Sequence, residues 1–245
     1  MSLLRKILNF STISAVLTIF LFSSCNSRER LDPNELKQKD KLVSLGYDFT
    51  EEAFVKAVKN GELDVVNLFI KSGMSPDTKI KLGNYNVPVI FYALENKKED
   101  IVRLLVDMGA NLESGAAGVT VLIKAVEKAD VQTLRLMIEK GVNVNKFGEM
   151  GVTPLMAAIE EGNDGAAWLL INSKADINAT DRLGITPLMR AVREGNVDIV
   201  KELLKRGADI NAESKRGLKV YNLIGDKNRE ALEILLEKAK PAQKN

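Results

Sequence analysis

Gly118, Gly151, Gly184 and Gly217 fall 33 residues apart, and Val121, Pro154, Pro187 and Val220 follow them at the same interval. A fixed period of this length constrains the fold more than any single motif. It makes each unit one small element that cannot bury its apolar side alone and must stack on the next. The clearest unit is GITPLMRAVREGNVDIVKELLKRGADINAES from residue 184, preceded by GVTPLMAAIEEGNDGAAWLLINSKADINATD from residue 151. Weaker copies begin at residues 118, 86 and 50, and a degenerate one at 217, so about six units occupy residues 50–240.

Within a unit the residue types dictate two helices. Thr186 can cap a first helix whose first position is Pro187, where a missing N–H costs nothing. Ala191 is small enough for close helix contact, and Gly195 with Asn196 forms the turn. Ile199, Val200, Leu203 and Leu204 share one face of a second helix, leaving Lys201 and Lys205 to water, and Gly207 ends it.

On these residues the chain resembles the ankyrin-repeat family. The resemblance implies an all-α repeat solenoid: stacked helix-turn-helix repeats joined by hairpin-like loops. It further implies protein binding through the hairpin tips and the first-helix face. One departure stands out. The family's Thr-Pro-Leu-His motif places a histidine two residues after the proline. The matching positions here are read as Ile90, Ile123, Met156, Met189 and Asn222, so apolar packing replaces most of a polar network.

A stacked array needs polar ends. The stretch DPNELKQKDKLVSLG reads as a capping helix over residues 32–46, with Asp32 as cap, Pro33 in the first turn and Gly46 as stop. The degenerate last unit closes the other end, followed by a tail at 241–245.

Ahead of the array, Arg5 and Lys6 precede the apolar stretch from Ile7 to Phe22, then Ser23, Ser24 and the only cysteine, Cys25. Sixteen helical positions span about 24 Å, short of the roughly 30 Å hydrocarbon core. One cysteine with no histidine cannot form an internal disulfide, nor a Cys/His zinc site. The segment is similar to a bacterial lipoprotein signal peptide. That implies a signal over residues 1–24, acylation of Cys25 as membrane attachment, and a short tether at 25–31. An uncleaved apolar anchor and simple secretion are the alternatives. The expected location is the cell envelope, at the periplasmic face of the outer membrane, because the tether is short and Asn26 follows the cysteine.

Charge and composition remove other classes. The net charge of +2 comes from Arg5 and Lys6, since all 33 acidic residues follow Cys25. Without that segment the basic excess vanishes, so no nucleic-acid partner is expected. The absence of histidine excludes Ser-His catalysis and the usual side-chain switch between pH 5 and 8. No Gly-rich phosphate loop or calcium-loop spacing is present. Neither an enzyme, a cofactor, a metal nor a small-molecule substrate is expected. A monomeric interaction module remains, with an envelope spacer lacking one specific client as the alternative.

Site residues follow from where an array is free to vary. Helix stripes and turns are committed to stacking, which leaves the hairpin tips and the exposed ends of the first helices. The central tips carry Phe147, Glu149, Met150 and Val152, then Thr180, Arg182, Leu183 and Ile185, beside Glu160, Glu161, Arg193 and Glu194. Phe147, Glu149, Met150, Arg182, Leu183 and Arg193 are the expected partner-binding set. Val152 and Ile185 are expected to pack between hairpins, and Phe147 and Met150 either stay free or fold onto them. Glu160 with Glu161, and Lys97 to Asp100 between two helices, read as solvated groups. Asn143 and Asn145 read as local hydrogen-bonding loop residues. Trp168, the only tryptophan, stands where other units have Asn67, Arg103, Arg135, Lys201 and Glu233. It either covers the shallow spot left by Ala166 and Ala167 or marks a second contact site.

Overall fold

The structure, a computed structural model, describes residues 32–239. The expected signal segment, tether, lipidated Cys25 and tail lie outside the described residues.

Asp32 accepts a hydrogen bond from the Asn34 N–H at 2.9 Å and starts α1, Pro33–Ser44. Helix pairs follow: α2 Glu51–Asn60 with α3 Leu63–Lys71, α4 Val89–Glu95 with α5 Glu99–Asp107, α6 Val121–Lys128 with α7 Val131–Glu139. Then come α8 Pro154–Glu160 with α9 Asp164–Asn172, and α10 Pro187–Arg193 with α11 Val197–Lys205. In the last unit a 3-10 turn, Val220–Leu223, takes the place of the first helix and leads to α12, Arg229–Ala239. The first helices α2, α4, α6, α8 and α10 touch in sequence, and so do the second helices α3, α5, α7, α9, α11 and α12, making two rows. α1 stands at the head of the second row, against α3.

Side-chain caps start nearly every helix in the central units. Thr120, Thr153 and Thr186 accept from Ile123, Met156 and Met189 N–H groups at 3.2 to 3.3 Å. Asp130, Asn163 and Asn196 do the same for the second helices. Gly195 alone takes the left-handed conformation in its turn, at φ +69°, while Asn196 has negative φ and serves as a cap instead. Between the two rows lies an aliphatic core containing Leu105, Leu122, Leu134, Leu155, Leu188 and Leu203. Four rings gather at the N-terminal end, where Tyr47, Phe49 and Phe54 surround Phe69 at centroid distances of 5.4 to 6.0 Å.

Three local expectations are corrected. The second unit is one residue short: Pro88 is the N-cap of α4, so the position equivalent to Ile123 is Phe91, not Ile90. Both residues are buried. Glu99 and Asp100 form the first turn of α5 rather than a loop. Glu160 is not merely solvated, since it meets Arg190 and Arg193 of the next unit.

Candidate functional site

The hairpin loops stack on a continuous polar ladder. Asn143 accepts from the Asn145 N–H and Asn145 accepts from the Asp176 N–H. Asp176 accepts from Asn178, Asn178 from Asp209, and Asp209 from Asn211, all at 2.8 to 2.9 Å. Alternate bonds are local and cross-unit, so each Asx side chain either closes its own turn or fixes the next. Further out, backbone bonds join successive tips: Glu149 N–H to the Gly118 carbonyl at 2.7 Å, Arg182 to Met150 and Lys215 to Leu183, both at 2.9 Å. This contact explains Gly184, whose φ is +76° and whose missing Cβ would come within 3.0 Å of the Lys215 nitrogen.

Outside these bonds the tips leave large apolar groups in water. Phe147 is 66% exposed, Met150 52% and Leu183 47%, whereas Val152 is half-buried against the core and Ile185 is half-buried. Phe147, Glu149, Asp176, Thr180, Asp181 and Arg182 line an open groove of about 460 Å³ between the tips of the fourth and fifth units. Of the expected set, Phe147, Glu149 and Arg182 share this groove, with Met150 and Leu183 on its adjoining tips. Arg193 does not line it, being held on the helix row by Glu160 at 3.4 Å and Glu194 at 3.0 Å. Trp168 is 37% exposed, and the preceding Ala166 and Ala167 are fully buried.

Asp181 lines the groove and is not in the expected set, and neither is Arg190, which holds it. Asp181 Oδ1 accepts from the N–H groups of Leu183 at 2.8 Å and Ile185 at 2.9 Å, closing the fifth tip. Its Oδ2 meets Arg190 at 2.8 Å, and Arg190 also reaches Glu160. Both Asp181 and Arg190 are buried, and the Arg190 Nε has no hydrogen-bond partner. One sequence signal was present: a charge inside PLMRAV, where the preceding unit has Ala157.

Elsewhere on the first-helix row the charges also neutralise one another. Lys124 lies 2.5 Å from Glu95 and 3.4 Å from Glu127. Its hydrogen bond holds the Glu95 carboxyl below the usual carboxylate range. Among the described residues no group of three or more Cys, Asp or Glu side chains is placed to hold a metal ion.

This geometry, two helix rows with a laddered edge of hairpins, is the ankyrin-repeat solenoid, and comparison with known proteins agrees. Residues 112–181 match the family model for ankyrin repeats (3 copies), and residues 183–215 match that for a single ankyrin repeat. An ankyrin repeat-containing protein of Treponema pallidum (strain Nichols) is 28% identical over 109 residues, 44% of this chain. The alignment spans only 36% of that relative's length. The crystal structure of the ankyrin repeat domain of Bcl-3, described as a unique member of the IkappaB protein family, superposes with a TM-score of 0.66 at 26% identity. It covers 76% of this chain and 85% of that one. Ankyrin repeats form protein-protein interaction modules that are typically not enzymes, and no catalytic family is indicated.

Proposed function

We propose that this chain is an envelope lipoprotein whose ankyrin array docks a protein partner on the tips of its fourth and fifth units, held near the membrane by acylated Cys25. The observation that carries the docking surface is the exposure of Phe147, Met150 and Leu183 around one groove, on tips whose backbone is already fixed by cross-unit bonds. Rigid apolar groups in water lose little conformational entropy on binding and gain their full burial. An aromatic, a methionine and an arginine side by side have the composition of an interface core. The anchor reading rests on the pattern of Arg5, Lys6, the Ile7–Phe22 stretch and Cys25. Two or more acyl chains hold a protein on a membrane where a single chain binds only marginally.

Crosslinking in intact cells identifies the client. Phe147→Ala combined with Leu183→Ala is expected to cost several kcal/mol of affinity for it, at about 2 kcal/mol per anchor, with the helical melting curve nearly unchanged. Capture of that client at wild-type strength by the double variant places the docking surface elsewhere. For the anchor, Cys25→Ser is expected to leave the membrane fraction on cell fractionation. If it still sediments with membranes at mature length, lipidation is refuted.

A further inference from the structure

Among the described residues the first hairpin has the longer of two strand ladders. β1, Lys79–Leu82, pairs antiparallel with β2, Tyr85–Pro88, over four residue pairs, whereas β3, Gly115–Ala116, and β4, Val119–Thr120, make two. Opposite residues in such a ladder point to one side, and alternate residues share a face. One face of the first hairpin therefore carries Ile80 opposite Val87 and, further out, Leu82 opposite Tyr85. Ile80 and Val87 pack against the core. Leu82 and Tyr85 stand beyond it, 63% and 54% exposed, so the apolar face outruns the fold by one pair. The second hairpin ends instead in Ala117 and Gly118.

The chain also enters the array beside this hairpin. Glu35, in the first turn of α1, holds its carboxylate beside Gly73, just past the C-terminal end of α3. Past the other end of α1 the Tyr47 hydroxyl donates to Glu62, the N-cap of α3. The two helices are thus antiparallel, and Asp32 lies at the end where α3 leads into the first hairpin. β2 faces the next hairpin through β3, and β1 is the outer strand, with no strand before it among the described residues. Residues 25–31 span at most about 25 Å, so an anchor at Cys25 keeps this end of the array close to the surface.

We infer that the first hairpin is a second membrane contact, with Leu82 and Tyr85 entering the interfacial layer of the phospholipid surface to which Cys25 is tied. This rests on the anchor reading above and adds which end of the array faces the membrane. Three observations favour lipid over other occupants. Tyrosine at a tip suits the boundary, since its ring sits among headgroups while its hydroxyl stays wet. Lys79 and Lys81 occupy the outer strand, where lysines work against edge-to-edge pairing with a second copy. The tip projects, whereas Phe147, two repeats further along, borders a concavity of about 460 Å³ that a flat lipid layer leaves unfilled. An acyl anchor alone leaves the array free to swivel on its tether, and a second contact removes that freedom.

The test reads tryptophan emission from the full chain reconstituted in phosphatidylcholine vesicles, with and without phosphatidylglycerol, using brominated acyl chains as quencher. Trp168, the only tryptophan, lies on the second helix α9 and serves as the control. Tyr85→Trp combined with Trp168→Phe moves the probe to the hairpin. Its emission is expected to shift to the blue and to lose intensity with brominated lipid in both mixtures, while Trp168 in the otherwise unchanged chain does neither. Adding Leu82→Ser is expected to reverse much of that loss with an unchanged melting curve, because the side chain leaves the core untouched. Emission from Tyr85→Trp that stays unshifted and unquenched on vesicles overturns the inference. Equal quenching of Trp168 does so too, since the array then lies on the lipid without orientation. A blue shift in neutral detergent that grows with protein concentration assigns the tip to a second copy instead. Mass spectrometry of the same preparation separates this result from the anchor reading. Quenching in a chain whose Cys25 carries no acyl group keeps the hairpin contact and removes the anchor, and an acylated Cys25 with an unquenched tip does the reverse. A chain that does not float with the vesicles removes both.

Discussion

Asp181 and Arg190 stand where the preceding unit has Gly148 and Ala157, and where the following unit has Ser214 and Leu223. A buried ion pair offers little net stability when intact, because desolvation offsets attraction, but removing one partner strands the other. Asp181 keeps two N–H donors when Arg190 is lost, which softens the penalty without removing it. Arg190→Ala is therefore expected to cost about 3 kcal/mol in urea unfolding. Adding Asp181→Ser should recover most of that, because Ser214 closes its own tip in the same way, accepting from Arg216 at 3.3 Å and Leu218 at 3.1 Å. A cost below about 1 kcal/mol for the single variant would mean that the pair behaves as an exposed one. The exposed pairs on the same row, such as Lys128 with Glu95 at 3.9 Å, belong to that weaker class.

At the level of elements, what could be read from the residues was what local chemistry decides. Thr186 with Pro187 announces a helix start because capping needs only neighbours two or three residues away, whereas Asn196, which reads as a turn residue beside Gly195, is the cap of α11. The strict glycine interval likewise located the hairpins, whose turns demand positive φ. The second unit departs from the constant spacing because it is one residue short and Pro88 caps α4 without a side-chain bond, so Phe91 and not Ile90 takes the place equivalent to Ile123. The last unit lacks a Thr-Pro pair, and there the first helix shrinks to a 3-10 turn over Val220–Leu223. The candidate site divides in the same way. That Phe147 and Leu183 have no core to fill follows from their place in a turn. That Arg193 faces Glu160 depends on how units stack, since the two are a whole repeat apart, and that Arg190 faces Asp181 depends on how the fifth tip folds back onto α10. The Asn143 to Asn211 ladder lies between these cases: its local half is legible as turn chemistry, and its cross-unit half appears only in the stack.

For the whole molecule, helix packing in each row runs from one unit to the next, so stability is close to a sum of unit terms and neighbour terms. The proposed partner surface lies on the fourth and fifth units, which have neighbours on both sides. α1 has a single fully buried residue, Leu42, and it stacks on α3 beside the Tyr47, Phe49 and Phe69 rings. Leu42→Ala should release that cap, at a local cost of about 2 to 5 kcal/mol. Because α1 packs on α3 while α8 to α11 belong to the fourth and fifth units, the loss should stay at one end. Amide exchange followed by mass spectrometry is expected to show faster exchange in α1, α2 and α3, with α8 to α11 unchanged under native conditions. Capture of the crosslinked client should then survive the substitution. Equal loss of protection in every unit would show that the array opens as one cooperative body. In that case the docking surface could not be insulated from damage at the N-terminal end of the array, and capture of the client would fall with Leu42→Ala as well.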